Sequence, residues 1–298
     1  MFWTRMTSSL VATAVLTIAV SHAALADTAG SSAGGKVADK RLADILVAQS
    51  AETKSRYPGR RPAKTMSFCQ IQEGDTVIET LPGSGWYSRI LYPYLGKSGR
   101  LIGAQYPLSL FKRFGWDDTR LQTVLDRDKN WAQSIKNESV AEGGAIKAYT
   151  MTQMSKRYDG SADKVLFIRS LHNLNRFGDE TGYIKDTLNE AFRSLKPGGV
   201  ACVVQHRAPE AASDGWANGS NGYLKQSVVI AAFEAAGFKL VETSEMNANP
   251  KDRPSESDSV WRLPPVLRGS KEGTAQWRAN KEIGESSRMT LKFVKPPA

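Results

Sequence analysis

The run Val77-Ile78-Glu79-Thr80-Leu81-Pro82-Gly83-Ser84-Gly85-Trp86-Tyr87 sets an acid shortly before two closely spaced glycines. Glycine takes backbone angles closed to other residues and lets a ligand approach the main chain. A dinucleotide turn of the form G-x-G-x-x-G needs a third glycine to seat a pyrophosphate at a helix N-terminus. Here the third is missing, and Glu79 would repel a diphosphate, so the acid suits a cationic or hydroxyl-bearing ligand better. Further along, His172 and His206 are candidate proton acceptors, because imidazole changes charge near neutral pH. His172 is the stronger catalytic candidate, since Arg169 and Asn173 flank it and make its turn polar. The competing reading is that His172 and Asn173 only hydrogen-bond loop backbone and hold the turn. Arg169 calls for a carboxylate partner, either Glu79 or a ligand, because an unpaired charge in a half-buried place is costly. Trp86 and Tyr87 either stack on a cation or belong to the core at a helix start. No metal site is visible, as neither two spaced histidines nor a cysteine cluster is present.

These residues need elements to position them. Short apolar runs predict strands over 75–79, 100–105, 145–150, 163–168 and 200–205. Helical spacing covers 40–53, 86–95, 110–114, 117–136 and 180–195, the last closed by Lys196-Pro197-Gly198-Gly199. Strands alternating with helices imply a mostly parallel sheet covered on both faces, an α/β doubly wound fold. A helix over 224–236, a strand over 238–244, a polar loop over 247–265 and a last strand over 288–295 follow, and the last two strands read as an antiparallel pair at the sheet edge. In such sheets ligands sit outside the carboxyl ends of the strands, where Glu79, Arg169 and His172 fall.

On these residues the chain resembles the class I S-adenosylmethionine-dependent methyltransferases, whose first motif is an acid followed by an x-G-x-G-x-G loop. Glu79 matches the acid, and Gly83 and Gly85 match the last two glycines, while Leu81 replaces the first. The turn 192–199 resembles the one before the fifth strand in that family. The resemblance spans residues 66–296 and implies a Rossmann-like seven-stranded sheet with an antiparallel C-terminal pair. It also implies S-adenosyl-L-methionine as cofactor, held by Glu79, Leu81, Gly83, Gly85, Gln105 and Arg169. Gln105 stands where the family carries an acid for the ribose hydroxyls, and an amide replaces that carboxylate only with weaker bonding. Segments 169–173, 237–240 and 288–293 are similar to a group of exported bacterial methyltransferases. A non-catalytic binding or scaffold protein on the same fold is the rival reading, since the Leu81 and Gln105 departures allow it. A dinucleotide oxidoreductase is a third, disfavoured by the missing glycine.

The 298 residues suit one elaborated domain, with 41% hydrophobic and 23% charged residues close to globular averages. Residues 1–26 have the three parts of a secretory signal peptide, ending Ala24-Leu25-Ala26. They predict a periplasmic or secreted protein with no transmembrane anchor after cleavage. Residues 27–38 read as a disordered tether and 39–298 as the domain. Cys69 and Cys202 are too few for a disulfide framework, and both read as small buried hydrophobes. The net charge of +10 favours anionic surroundings. Its basic residues are scattered apart from short clusters such as Arg60-Arg61 with Lys64, which reads as a solvated surface rather than a dedicated polyanion site. The expected partner is a small-molecule or envelope substrate, and no nucleic acid is expected.

Overall fold

The computed structural model describes residues 33–297. Seven strands, β1 (Thr76–Thr80), β2 (Arg100–Gln105), β3 (Ala145–Thr150), β4 (Ala162–Ile168), β5 (Leu195–His206), β6 (Lys239–Ser244) and β7 (Arg288–Val294), form one sheet in the order β3-β2-β1-β4-β5-β7-β6. The first five are parallel, and β7 runs antiparallel between β5 and β6. This is the Rossmann-like mixed sheet expected from the sequence.

Period-two alternation divides the apolar strand residues between two cores. Ile78, Ile102, Val165, Phe167, Val203 and Phe293 face one side. Val77, Leu101, Leu166, Ile168, Val200 and Val204 face the other. On the first side, Phe233 from the helix Gln226–Ala235 stacks on Phe293 at 4.4 Å and meets Phe167 edge-on at 5.2 Å. Full burial of each such ring contributes about 1.5–3 kcal/mol. On the second side, the helix Ser88–Leu95 buries Ile90, Leu91 and Leu95 against the helix Ala33–Ala48, whose Leu42, Ile45 and Leu46 complete that core.

Several elements depart from expectation. The two cysteines are not separate thiols: Cys69 and Cys202, 133 positions apart in sequence, are joined by a disulfide, with Cα atoms 5.5 Å apart. The helix Pro62–Phe68, which the sequence reading missed, delivers Cys69 at its C-cap to the face of β5 that carries Cys202. The Lys-Pro-Gly-Gly turn lies inside β5, where Ala162 pairs with Leu195 and Lys164 with Val200, so an extra loop of strand bulges outward. Gly198 takes φ 77° at that bulge. The helix Ala33–Ala48 starts within the stretch read as a tether. Residues 1–26, the stretch read as a signal peptide, lie outside the described residues. A helix Ala275–Ile283 interrupts the segment before β7. No helix among the described residues is long and apolar enough to cross a membrane.

Candidate functional site

The strand order reverses between β1 and β4, and the cleft opens there at the strands' carboxyl ends. Two hydrogen bonds draw the strand ends together: Thr80 Oγ1 lies 2.7 Å from Ser170 Oγ, and the Tyr106 hydroxyl donates to the Ser170 carbonyl. The residue after each strand is non-glycine yet left-handed, Leu81 at φ 47° and Arg169 at φ 58°. Such conformations cost about 1–3 kcal/mol each and concentrate at ligand sites. Their amides are tied into the sheet, Leu81 N to Ala104 O at 2.8 Å and Arg169 N to Val204 O at 2.7 Å.

The cleft has two chambers that share a wall of Leu81, Gly83, His172, Asn173 and Trp261. The smaller, about 320 Å³, is lined by Glu79, Arg60, Tyr87, Arg169, His206 and Glu285 among others. Glu79 is buried, and Ser88 Oγ donates to its Oε2 at 2.6 Å. Burial pushes the carboxyl up to about 7, against the opposing pull of the Ser88 hydrogen bond and the Arg169 charge. Ser88 opens the helix that follows the turn, so the turn and the acid are coupled through one hydroxyl.

His172 is buried on the helix Leu171–Asn175 just after β4. Its Nδ1 lies 3.4 Å from Gln205 Oε1. The Gln205 amide nitrogen donates to Gly222 O at 3.0 Å, so the oxygen is the end that faces the imidazole. His172 therefore carries its proton on Nδ1 and leaves Nε2 as an acceptor. Burial drives its pKa down to about 4, helped by Arg169 and Arg176 and opposed by the Gln205 bond, so it is neutral at pH 7. The His206 ring centre lies 5.5 Å from that of His172, and its Nδ1 is 2.6 Å from Ser286 Oγ. Burial lowers the His206 pKa too, together with His172 and the nearby arginines.

Behind the small chamber, Glu285 gathers three arginines: Arg56 Nε at 2.9 Å, Arg288 Nη1 at 3.1 Å and Arg60 Nε at 3.6 Å. Burial raises the Glu285 pKa, but the surrounding arginines outweigh it and hold the carboxyl below its ordinary value. Arg60 lies over the Trp86 ring at 4.4 Å, and burial followed by repulsion from Arg169 brings its pKa down to about 9.

The structure thus brings Glu79, Leu81, Gly83, Arg169 and His172 to one cleft. Two residues expected with them line neither chamber directly. Gly85, at φ 79° in the same turn, is pressed by the helix Asp118–Glu138: a Cβ there would stand 2.3 Å from Ile135 Cδ1. Gln105 lines a neighbouring cavity of about 560 Å³ with Asp128 and Tyr149, which shares Tyr106 and Phe111 with the larger chamber. Its amide nitrogen and oxygen are buried without hydrogen-bond partners, which leaves a donor and an acceptor for a ligand's hydroxyls. Sequence reasoning missed Arg60, Gln205, Trp261 and Glu285 as site residues. Only Gln205 left a signal, beside His206 at a strand end. Among the described residues no group of three or more His, Cys, Asp or Glu is placed to hold a metal ion.

No protein-family model matches the chain, and no curated protein matches it in sequence. Solved structures similar in architecture include a SAM dependent methyltransferase from Aquifex aeolicus at 12% identity and TM-score 0.46, covering 85% of this chain and 98% of that one. Geranyl diphosphate C-methyltransferase from Streptomyces coelicolor A3(2) is similar at 11% identity and TM-score 0.49, over 79% and 77% of the two chains. The cyclase SpnF is similar at 15% identity and TM-score 0.46, over 80% and 81%.

Proposed function

We propose that the chain is an S-adenosyl-L-methionine-dependent methyltransferase, exported from the cytoplasm, that acts on a small molecule or an envelope component. The observation that carries this reading is the small chamber, where a buried carboxyl on the first strand faces the same space as a neutral imidazole with a free Nε2. The residues fit the cofactor. Glu79 has one oxygen bonded to Ser88 and pairs with a ligand cation, Arg169 pairs with a ligand carboxylate, and the open side of Gly83 admits it to the backbone. The unpartnered Gln105 amide fits hydroxyls.

The bound cofactor supplies an electrophilic methyl on a sulfonium sulfur. His172 Nε2 accepts the proton that the attacking oxygen or nitrogen of the acceptor loses, and the Gln205 oxygen stabilises the imidazolium through Nδ1–H. Trp261 on the shared wall excludes water from that approach. The positions of Glu79 and His172 at adjacent strand ends fix donor and acceptor relative to each other, which is where most of the acceleration of a displacement arises.

The disulfide supports export, since such bonds persist in oxidising compartments. It stands beside the signal-like sequence of residues 1–26. The rival is a binding or scaffold protein on this fold, which the Leu81 and Gln105 departures from the motif allow. Calorimetric titration with S-adenosylmethionine and S-adenosylhomocysteine distinguishes the two: micromolar binding lost in Glu79→Ala supports the enzyme, and no binding at millimolar ligand overturns it.

A further inference from the structure

The larger chamber, about 620 Å³, lies across the shared wall from Glu79. Four arginines line it, Arg120, Arg127, Arg176 and Arg268, and no carboxylate does. They come from three separate parts of the chain. Arg120 and Arg127 lie two turns apart on the helix Asp118–Glu138, Arg176 follows the helix Leu171–Asn175, and Arg268 sits in the loop after Val260–Arg262.

Only Arg127 has an acid, Asp128 at 2.7 Å. The other three make no ion pair among the described residues and rest on aromatic faces instead. Arg120 lies 3.9 Å from the Trp116 ring centre, Arg176 5.0 Å from both Phe114 and Phe177, and Arg268 5.2 Å from Trp261. Stacking of this kind fixes the plane of a guanidinium without consuming its N–H donors. The floor between them is apolar: Tyr106 and Phe111 are buried, and Phe111 stacks on Trp116 at 5.1 Å. Three oriented, unpaired forks around an aromatic floor match a phosphate group attached to an apolar or aromatic body. Guanidinium binds phosphate bidentately, and the rings take the body.

We propose that this chamber binds a phosphate-bearing methyl acceptor, its phosphate held by Arg120, Arg176 and Arg268 and its apolar part lying on Tyr106 and Phe111 toward His172. The word acceptor rests on the methyltransferase reading. The phosphate site itself does not, and its test contains no methyl donor. The phosphate comes either from a soluble ester or from a lipid headgroup at a membrane surface, and the two differ in presentation.

Inorganic pyrophosphate titrated into the full-length protein by calorimetry probes the first source. Flotation with phosphatidylcholine vesicles, with and without phosphatidylglycerol, probes the second. Saturable pyrophosphate binding is expected, weakened roughly tenfold for each of Arg120→Gln, Arg176→Gln and Arg268→Gln. The distant exposed Arg253→Gln leaves it unchanged. Binding only to phosphatidylglycerol vesicles, lost in the triple variant, assigns the phosphate to a lipid. Should the triple variant misfold, Arg268→Gln alone, in an exposed loop, carries the same comparison. Binding of neither probe, binding retained without the three arginines, or equal weakening by Arg253→Gln overturns the proposal.

Discussion

The two chambers of the cleft are both rich in arginine, and they resolve that charge in opposite ways. Behind the small one, buried Arg60 and Arg288 and half-buried Arg56 converge on Glu285, so the fold itself supplies their counter-charge. In the large one, Arg120, Arg176 and Arg268 have aromatic faces and no acid. A buried charge needs a permanent partner, whereas a half-exposed one is solvated until a ligand arrives. Arginines of the first kind therefore hold structure, and those of the second are free for recognition.

The widest separation between the two should come from Glu285→Ala. It strands the buried guanidinium groups of Arg60 and Arg288 beside half-buried Arg56 and is expected to cost about 3–5 kcal/mol in a denaturant titration. A loss below about 1 kcal/mol would mean that the cluster is not held by this carboxylate. Next is the disulfide, which anchors the segment carrying Arg56 and Arg60 to β5. The double variant Cys69→Ala/Cys202→Ala should lose about 2–5 kcal/mol relative to the oxidised protein, measured the same way. Added reductant should leave the double variant unchanged.

The titratable groups beside the shared wall give effects of opposite sign. Glu79, raised from 4.5 to about 7, favours the folded state when protonated, so its contribution is full below pH 4.5 and is lost as pH rises to 7. His172, lowered from 6.5 to about 4, favours the folded state when neutral, so its contribution is present above pH 6.5 and is lost as pH falls toward 4. Denaturation midpoints between pH 4 and 7 should therefore lose their downward limb in Glu79→Gln and their upward limb in His172→Asn. An unchanged profile in either variant would remove that group from the account. The smallest effect belongs to the large chamber: Arg120→Ala should shift stability by no more than about 0.5 kcal/mol, because the exposed charge has no acid partner and loses only its contact with the Trp116 ring.

Much of this was readable in the chain. Alternating apolar residues in short runs located the strands, and an acid before two glycines at a strand end located the cleft. Glu79, Arg169 and His172 could be placed because each sits directly at or after a strand, where topology alone decides which end faces a ligand. Gly85 and Gln105 were grouped with them by motif, but Gly85 is packed against Ile135 and Gln105 lines the adjoining cavity. Arg60, Trp261 and Glu285 lie in segments with no periodic signal, and only the folded chain brings them to the site. The disulfide had the same cause: a helix absent from the sequence reading carries Cys69 across to Cys202. The arginines of the large chamber read as a scattered solvated surface, since their convergence depends on three segments far apart in sequence.

The central claim, that Glu79 receives the cation of S-adenosylmethionine, has a direct thermodynamic signature. A carboxyl with a pKa of about 7 is largely protonated at pH 6 and must ionise to pair with a cation. Calorimetric binding of S-adenosylmethionine at pH 6, repeated in two buffers of different ionisation enthalpy, should show release of most of one proton, and Glu79→Gln should abolish that release. Binding with no proton release, or release that persists in the variant, would contradict the account.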